Sequence, residues 1–266
     1  MQSEHLRALS DADIHAFVLN GFVRLDGAFS KRLAEQARSV LWEAAGCDPH
    51  DRSTWKSPVI RLGQFAQSPF REAANTPLLH SAFDQLVGRG RWTPPGAIGT
   101  FVIRFPSPDD PGDDGWHIDV SFGDSPDFMD WRANVNSKGR ALLMLFLFTD
   151  TGPDDAPTRI RAGSHKDIAR RLAEAGEDGL ALRELAADVF SDSSHRPEVL
   201  AVGEAGTVYL CHPFLVHAAQ RHRGAAPRIL AQPPLLPREA FDLARRDERY
   251  SPVERAIRDA LAEPGS

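Results

Sequence analysis

One short stretch of this sequence, residues 116–120, carries a histidine and an aspartate two positions apart, His117 and Asp119. We interpret the stretch as a strand, in which neighbouring side chains point to opposite faces. His117 and Asp119 then lie on one face and Ile118 on the other. An imidazole nitrogen and a carboxylate oxygen directed at one point in space predict two ligands of a metal ion.

A third ligand is expected from a second apolar run, residues 206–216, which ends at His217. Two histidines and one carboxylate on one face of a metal leave the opposite positions open. This arrangement is typical of non-haem Fe(II) oxygenases. A His-x-Asp pair also occurs without a metal, as a polar pair at the end of a strand, so the assignment depends on the rest of the chain.

The composition limits the classes of protein to be considered. The 266 residues are 42% hydrophobic, and the net charge at pH 7 is −6. One compact domain with a sizeable core is expected, and the acidic balance argues against a nucleic-acid partner. No apolar run has the length of a membrane span, and the first residues lack a signal-peptide pattern, so no membrane partner is expected. Cys47 and Cys211 fit neither a zinc site nor a disulfide framework, which favours a cytoplasmic location.

Helical patterns dominate the first part of the chain. Ser10 followed by Asp13 indicates a helix start, and apolar spacing predicts helices before Gly21, over 30–46 and over 77–87. A further helix is expected over 167–190, divided near Gly176 and Gly179, and another from Arg238 towards the C-terminus. Strands are predicted from β-branched and aromatic runs at residues 100–105, 141–148, 158–161, 197–202, 207–210 and 228–231.

This order of elements predicts a mainly β fold with flanking helices, either an antiparallel sandwich or a barrel. We expect a single domain over residues 1–266, with a mostly helical flank at 1–98, a strand core at 99–237 and a C-terminal helix and tail at 238–266. The first two candidate ligands lie early in the β region and His217 lies late. Only a closed, rolled sheet brings such positions together.

An arginine completes the constellation. Arg228 follows His217 by eleven positions and begins the last predicted core strand. Its apolar neighbours predict partial burial, and a buried guanidinium requires an anionic partner. The planar fork of donors suits a carboxylate. Arg221 and Arg223 lack apolar neighbours and are expected to lie in a solvated loop.

At these residues the chain resembles the phytanoyl-CoA dioxygenase family of Fe(II)- and 2-oxoglutarate-dependent oxygenases. The resemblance extends over about residues 10–240 and rests on the segments 20–23, 116–119, 161–166 and 206–228. It implies a double-stranded β-helix, the cupin-like jelly roll. It further implies that His117, Asp119 and His217 bind Fe(II) and that Arg228 binds the far carboxylate of 2-oxoglutarate.

The chain departs from the family pattern at two positions. Ala162 stands where a proline is usual, and Ala219 stands two positions after the third ligand, where a hydroxyl often helps to hold the cosubstrate. The second departure leaves the 2-oxoglutarate site incomplete. The candidates to complete it are Thr149, Gln220 and Arg104.

The implied reaction is hydroxylation of an unactivated C–H bond of a small organic substrate by O2, with release of succinate and CO2. Asp119 favours hydroxylation because related halogenases have a small residue at that position. Two alternatives remain: a non-catalytic jelly-roll binding protein, and a hydroxylase of proteins or peptides. The sequence identifies neither the substrate nor the oligomeric state.

Other residues near the predicted site have simpler interpretations. His212 is expected to pack behind the ligands, so that His212→Ala retains activity; His165 is expected in a turn and His222 in a solvated loop. Residues 48–70 and 122–139 are expected to be loops that shape the pocket, the second a long loop over the site. Its aromatic and methionine side chains are either a substrate wall or a packed lid: Phe122, Phe128, Met129 and Trp131.

Overall fold

The computed structural model describes residues 7–263, and the strands of this part form one large sheet and two small ones. The α-helices between residues 7 and 263 are α1 (Asp11–Asn20), α2 (Lys31–Ala45), α3 (Ser68–Ala74), α4 (Pro77–Leu86), α5 (Ser164–Glu174), α6 (Leu182–Ala187) and α7 (Pro252–Ala262). The strands are β1 (Phe22–Leu25), β2 (Val59–Leu62), β3 (Trp92–Thr93), β4 (Phe101–Arg104), β5 (Arg132–Ala133), β6 (Leu142–Leu147), β7 (Arg159–Arg161), β8 (Leu180–Ala181), β9 (Glu198–Leu200), β10 (Val208–Cys211), β11 (His217–Ala218), β12 (Arg228–Ala231) and β13 (Pro234–Pro237).

Side-chain caps fix the first helices where the sequence predicts them. The Ser10 side chain accepts a hydrogen bond from the Asp13 N–H, and the Asp13 side chain accepts one from the Ser10 N–H. Gly21 caps the C-terminal end of helix α1 with a φ of 84°. Glycine adopts this left-handed conformation readily because it has no Cβ. Ser30 and Thr76 cap α2 and α4 in the same way. The predicted helices of this region are confirmed.

The large sheet has the strand order β1-β10-β6-β12-β4-β2, and β13 pairs with both β6 and β3. Strand β6 is buried along its whole length, as its apolar composition predicts. The first 98 residues contribute β1 to β3 as well as helices. The chain is therefore mainly β with flanking helices, and β12, which carries Arg228, lies next to the central strand.

The second sheet, β11-β7-β9, holds the late metal-ligand candidate. His217 begins β11 and pairs with Ile160 of β7. The expectation that His217 ends a strand continuous with residues 207–210 is wrong, because a turn in which the Leu215 N–H donates to the His212 carbonyl carries the chain from one sheet to the other. The expectation of a regular strand over 116–120 is also wrong: His117 forms only an isolated bridge, to His217. Pairing to one residue is nonetheless enough to fix the backbone of His117.

Three other boundaries differ from the sequence prediction. Helix α5 begins three residues early, because Gly163 adopts a φ of 86° that lets the helix start directly after it. The break near Gly176 and Gly179 is confirmed, and a short strand and α6 follow it. The segment 48–70 is not a loop throughout, since it contains β2 and the start of α3.

The C-terminal part also differs. Strand β12 is followed by β13, so it is not the last strand of the core. Residues 238–251 are not helical; α7 begins only at Pro252, after a capping box formed by Ser251 and Glu254. The Glu254 carboxylate is fully buried and pairs with Arg91 and Arg245, which explains why the preceding segment is folded around it instead of being helical. No helix within residues 7–263 is long and apolar enough to cross a membrane.

Candidate metal and cosubstrate site

The structure brings together the three side chains that the sequence selects as metal ligands. One donor atom from each of His117, Asp119 and His217 lies within 4.8 Å of the others. The His217 Nε2 and the Asp119 Oδ1 are 3.9 Å apart, and the two imidazole ring centroids are 4.4 Å apart. Their backbones are joined by reciprocal N–H to carbonyl hydrogen bonds of 2.9 Å between His117 and His217. The two candidate ligands from distant parts of the chain are thus held together by one backbone bridge.

The hydrogen bonds of the two imidazoles select the nitrogen that faces a metal. The Nδ1 of His117 lies 2.9 Å from the Gly115 carbonyl, and the Nδ1 of His217 lies 3.1 Å from the Leu215 carbonyl. A carbonyl only accepts, so each Nδ1 carries the proton and each Nε2 has a free lone pair. The Nε2 of His217 is buried and has no hydrogen-bond partner. Burial and the neighbouring His117 lower the pKa of His217 to about 4, which keeps it in the neutral form that binds metals. This donor set fits Fe(II).

A residue that the sequence did not single out holds the carboxylate ligand. The Nη1 of Arg140 is 3.2 Å from the Oδ2 of Asp119, the oxygen that does not face His217. Burial alone would raise the pKa of Asp119, but the Arg140 charge and the two histidines outweigh it, so this pKa lies below its usual value. Arg140 itself ends a tight turn in which the Ser137 hydroxyl donates to the Arg140 carbonyl. One carboxylate oxygen is therefore held by protein and the other is left for a metal.

Two of the three metal-ligand candidates, His117 and His217, line a cavity of about 200 Å³ together with Arg228. The imidazoles of His117 and His217 form part of its wall and Arg228 another part. The remaining lining residues are Arg61, Val102, Arg104, Asp113, Thr158, Ala219 and Gln232. Two candidate metal ligands and the arginine expected from its spacing to His217 thus line the same cavity.

Arg228 is more deeply buried than the sequence suggested. It begins β12, as predicted, and only 2% of its surface is exposed. Its Nε and Nη1 are buried and have no hydrogen-bond partner in the part of the chain that the structure describes. Burial and the adjacent Arg104 lower the pKa of Arg228 to about 9, so the guanidinium is still charged at neutral pH. A buried cation that lacks protein acceptors is a site for an anion.

The three residues proposed to complete the cosubstrate site have different surroundings. Arg104 lines the cavity. The Thr149 hydroxyl accepts a hydrogen bond of 3.0 Å from the Ile229 N–H, and the Gln220 amide donates one of 2.7 Å to the Pro157 carbonyl. Thr149 and Gln220 are not among the lining residues, and their role in 2-oxoglutarate binding stays a prediction.

The other histidines lie outside the ligand group. His212 is fully buried, and its ring lies 4.9 Å from that of His165, in agreement with a packing role. The expectation that His165 lies in a non-helical turn is wrong. It lies at the start of helix α5, because the chain becomes helical directly after Gly163. His222 is not solvated: it is 7% exposed, because its loop folds back on the Asp154 carbonyl. Arg221, by contrast, is exposed as predicted and pairs with Asp110.

The segment 122–139 is largely irregular, as predicted, with one short strand, β5, and one turn of 3-10 helix. Phe128 and Met129 are exposed rather than packed as a wall. Phe122 lines a separate cavity of about 690 Å³. The other residues around this second cavity are Arg132, Asn134, Asn136, Lys138, Glu177, Asp178 and Ala240.

Several solved structures of other proteins have a fold similar to that of this chain. The chain is similar to SnoK, a non-heme alpha ketoglutarate dependent carbocyclase from nogalamycin biosynthesis (TM-score 0.59, 18% identity, 87% of this chain and 86% of that chain). It is similar to EctD from S. alaskensis, solved with 2-oxoglutarate and 5-hydroxyectoine (TM-score 0.55, 20% identity, 90% and 78%). It is also similar to HygX from Streptomyces hygroscopicus, solved with nickel and 2-oxoglutarate (TM-score 0.53, 19% identity, 84% and 85%). These likenesses confirm the jelly-roll fold. A search of curated proteins gave no match.

The family comparison covers most of the chain. The model described as Phytanoyl-CoA dioxygenase (PhyH) matches residues 17–230, a span that includes the three candidate ligands and Arg228. The match confirms the enzyme class expected from the sequence, a 2-oxoglutarate-dependent non-haem iron oxygenase, with iron as cofactor and 2-oxoglutarate as cosubstrate. The chain belongs to the phytanoyl-CoA dioxygenase family.

Proposed function

We propose that this enzyme hydroxylates an unactivated C–H bond of a small organic substrate, with His117, Asp119 and His217 as the Fe(II) ligands and Arg228 as the residue that binds the far carboxylate of 2-oxoglutarate. One observation carries the proposal. Two of the three potential ligands, His117 and His217, line a cavity with a buried arginine whose Nε and Nη1 have no hydrogen-bond partner within residues 7–263, and Asp119 lies beside these two histidines. The His-Asp-His group alone, or the buried arginine alone, could serve a structural role. The group and the arginine together fit a metal and a dicarboxylate.

The residues of the site have separate tasks in this function. His117 and His217 direct their Nε2 atoms towards a metal, because their Nδ1 atoms donate to backbone carbonyls. Arg140 holds one oxygen of Asp119, which leaves the other to a metal. Arg228 orients the cosubstrate by binding its far carboxylate in a place that excludes water. The iron, when bound with O2, supplies the oxidation that no side chain can perform.

The proposal of a small organic substrate is supported by what is bound in the similar structures. HygX has been solved with hygromycin B and EctD with 5-hydroxyectoine. At 19% and 20% identity these likenesses do not transfer a substrate to this chain. They support a substrate of small-molecule size. The carboxylate of Asp119 supports hydroxylation as the outcome of the reaction.

The function is tested by turnover of 2-oxoglutarate. Purified protein supplied with Fe(II), 2-oxoglutarate and O2 should form succinate slowly, and a small-metabolite mixture that contains a substrate should raise the rate above this uncoupled background. His217→Ala should abolish both rates, whereas His195→Ala, at an exposed histidine, should change neither. Stimulation by a peptide library but by no metabolite would replace the small substrate with a polypeptide. Full activity of His217→Ala would overturn the ligand assignment.

A further inference from the structure

We propose that Thr158 supplies the hydroxyl that Ala219 lacks, and that Thr158 and Arg228 together bind the far carboxylate of 2-oxoglutarate. This inference rests on the proposed function, which it deepens by naming a second residue of the cosubstrate site. Thr158 is identified by its place in the fold: it lines the cavity, and the strand register sets it opposite Ala219.

The sheet register places the two residues opposite each other. In the antiparallel pair of β11 and β7, His217 faces Ile160 and Ala218 faces Arg159. Continued by one residue, the same register sets Ala219 opposite Thr158. The Nε of Arg159 donates to the Ala219 carbonyl, so the two chains stay together beyond the regular pairs. Directly opposite residues of an antiparallel pair have Cβ atoms about 5 Å apart. A hydroxyl lost from one position can thus be replaced from the other.

The environment of Thr158 fits a ligand-binding hydroxyl. Thr158 and Ala219 both line the cavity that contains His117, His217 and Arg228. Thr158 is only 4% exposed, so its side chain is shielded from bulk solvent. Within residues 7–263 its hydroxyl makes no hydrogen bond to another protein group. A hydroxyl without a protein partner, on a residue that lines a cavity with an unpaired guanidinium, can donate to an anion in that cavity.

The alternatives to Thr158 are already engaged. The hydroxyl of Thr149 accepts the Ile229 N–H, and the amide of Gln220 donates to the Pro157 carbonyl. Arg104 lines the cavity, but it is bonded to Asp113 at 2.7 Å. Gln232 also lines the cavity and offers an amide; Thr158 is preferred because it stands opposite the position where the hydroxyl is missing.

The test compares four variants by direct binding of 2-oxoglutarate. Calorimetric titration of the Ni(II)-loaded protein gives the cosubstrate Kd without turnover, and a separate titration with Ni(II) gives the metal affinity. Thr158→Val keeps the shape but removes the donor, and should weaken 2-oxoglutarate binding roughly tenfold, because a hydrogen bond to a charged group is lost. Nickel affinity should not change. Thr158→Ser should bind like the parent protein, and Thr93→Val, at an exposed strand position, should have no effect.

The decisive variant is the double substitution Thr158→Val with Ala219→Ser. If the two positions serve one function, the serine should restore most of the lost affinity, which no general destabilisation by valine would allow. Suppose that the parent protein binds 2-oxoglutarate and that Arg228→Ala weakens this binding. Unchanged binding by Thr158→Val would then overturn this inference and leave the proposed function intact. An equal loss of nickel affinity, or failure of the serine to restore binding, would also overturn it. Absence of 2-oxoglutarate binding by the parent protein would instead contradict the proposed function itself.

Discussion

Arg104 of β4 and Arg228 of β12 stand directly opposite each other, and both are buried. Like charges in directly opposite positions destabilise an antiparallel pair unless anions compensate them. The Nη2 of Arg104 donates to Asp113 over 2.7 Å, and Arg61 pairs with the same carboxylate. Arg228 makes no such bond within residues 7–263. One guanidinium of the pair thus has a carboxylate partner, and the other has none within residues 7–263.

This relationship predicts the effect of removing Arg228. In Arg228→Ala the far carboxylate of 2-oxoglutarate loses a buried, bidentate partner, and loss of one member of such a pair costs about 3–5 kcal/mol. The KM for 2-oxoglutarate should therefore rise roughly a hundredfold or more, at about 1.4 kcal/mol per tenfold. Arg228→Lys should be intermediate, because an ammonium replaces a fork. Succinate release measured over a range of 2-oxoglutarate concentrations checks both variants.

Arg221→Ala and Arg223→Ala are the matched controls, because both residues are exposed in the loop before β12. Neither should change the KM for 2-oxoglutarate by more than about twofold, as expected for exposed charges. If one of these variants proved sensitive while Arg228→Ala did not, the assignment of Arg228 to the cosubstrate would be wrong.

The second prediction concerns Asp113, whose negative charge lies in the cavity beside the proposed cosubstrate site. Asp113→Asn removes the carboxylate that forms ion pairs with Arg61 and Arg104. Anion binding at Arg228 should become stronger, roughly three- to tenfold for 2-oxoglutarate, because a like charge is removed from a poorly hydrated space. Inorganic phosphate should also become a better competitor. The measurement is the Kd of each anion by calorimetry.

Asp110→Asn is the control for this prediction. Asp110 lies in the same loop and also pairs with an arginine, but that partner, Arg221, is exposed. Its replacement should leave the Kd of 2-oxoglutarate unchanged. A weaker affinity in Asp113→Asn would contradict the charge argument and mean that the ion pairs serve mainly to hold the loop in place.

Metal binding should stabilise the folded protein. A divalent ion that binds only the folded state at a hundred times its Kd adds about 2.7 kcal/mol. For a chain of this length that corresponds to a rise in Tm of roughly 5–10 °C. Thermal unfolding with Mn(II) and with a chelator measures the difference, which should vanish in His217→Ala. An equal shift in that variant would place the ion elsewhere.

That the candidate metal ligands and Arg228 lie close together was predictable, because chemistry restricts the residue types that can form such a site. Few residue types bind iron, and their spacing is visible along the chain; folding then groups His117, Asp119 and His217, and the two histidines line one cavity with Arg228. The apolar run of β6 and the helix caps were predictable for a similar reason, since both are local patterns.

The residues that support the ligands were not predictable. Arg140 contacts Asp119 through a turn whose shape depends on Ser137 and Gly139, and no local pattern indicates where that turn will point. Thr158 becomes relevant only when the register of two short strands is known. His222 looked solvated because its neighbours are polar, but tertiary contacts with residue 154 bury it.

A pair of buried histidines predicts how stability depends on pH. His165 and His212 are both fully buried, with ring centroids 4.9 Å apart. Burial lowers the pKa of His165 to about 3 and that of His212 well below its usual value. Both are therefore neutral in the folded protein, whereas in the unfolded chain they bind protons near pH 6.5. Below that pH the unfolded state binds more protons, so the free energy of unfolding falls as the pH falls.

Between pH 7 and pH 5 each of these histidines should reduce the free energy of unfolding by roughly 2 kcal/mol. Urea unfolding at the two pH values measures the total change, to which carboxylates also contribute, so the test compares variants. His212→Phe places an apolar ring among Phe17 and Phe214 and should reduce the loss by the share of one histidine, whatever its effect at pH 7. His50→Gln, at an exposed position, should leave the loss unchanged. An equal loss in His212→Phe and the parent protein would mean that this imidazole is not held neutral by the fold.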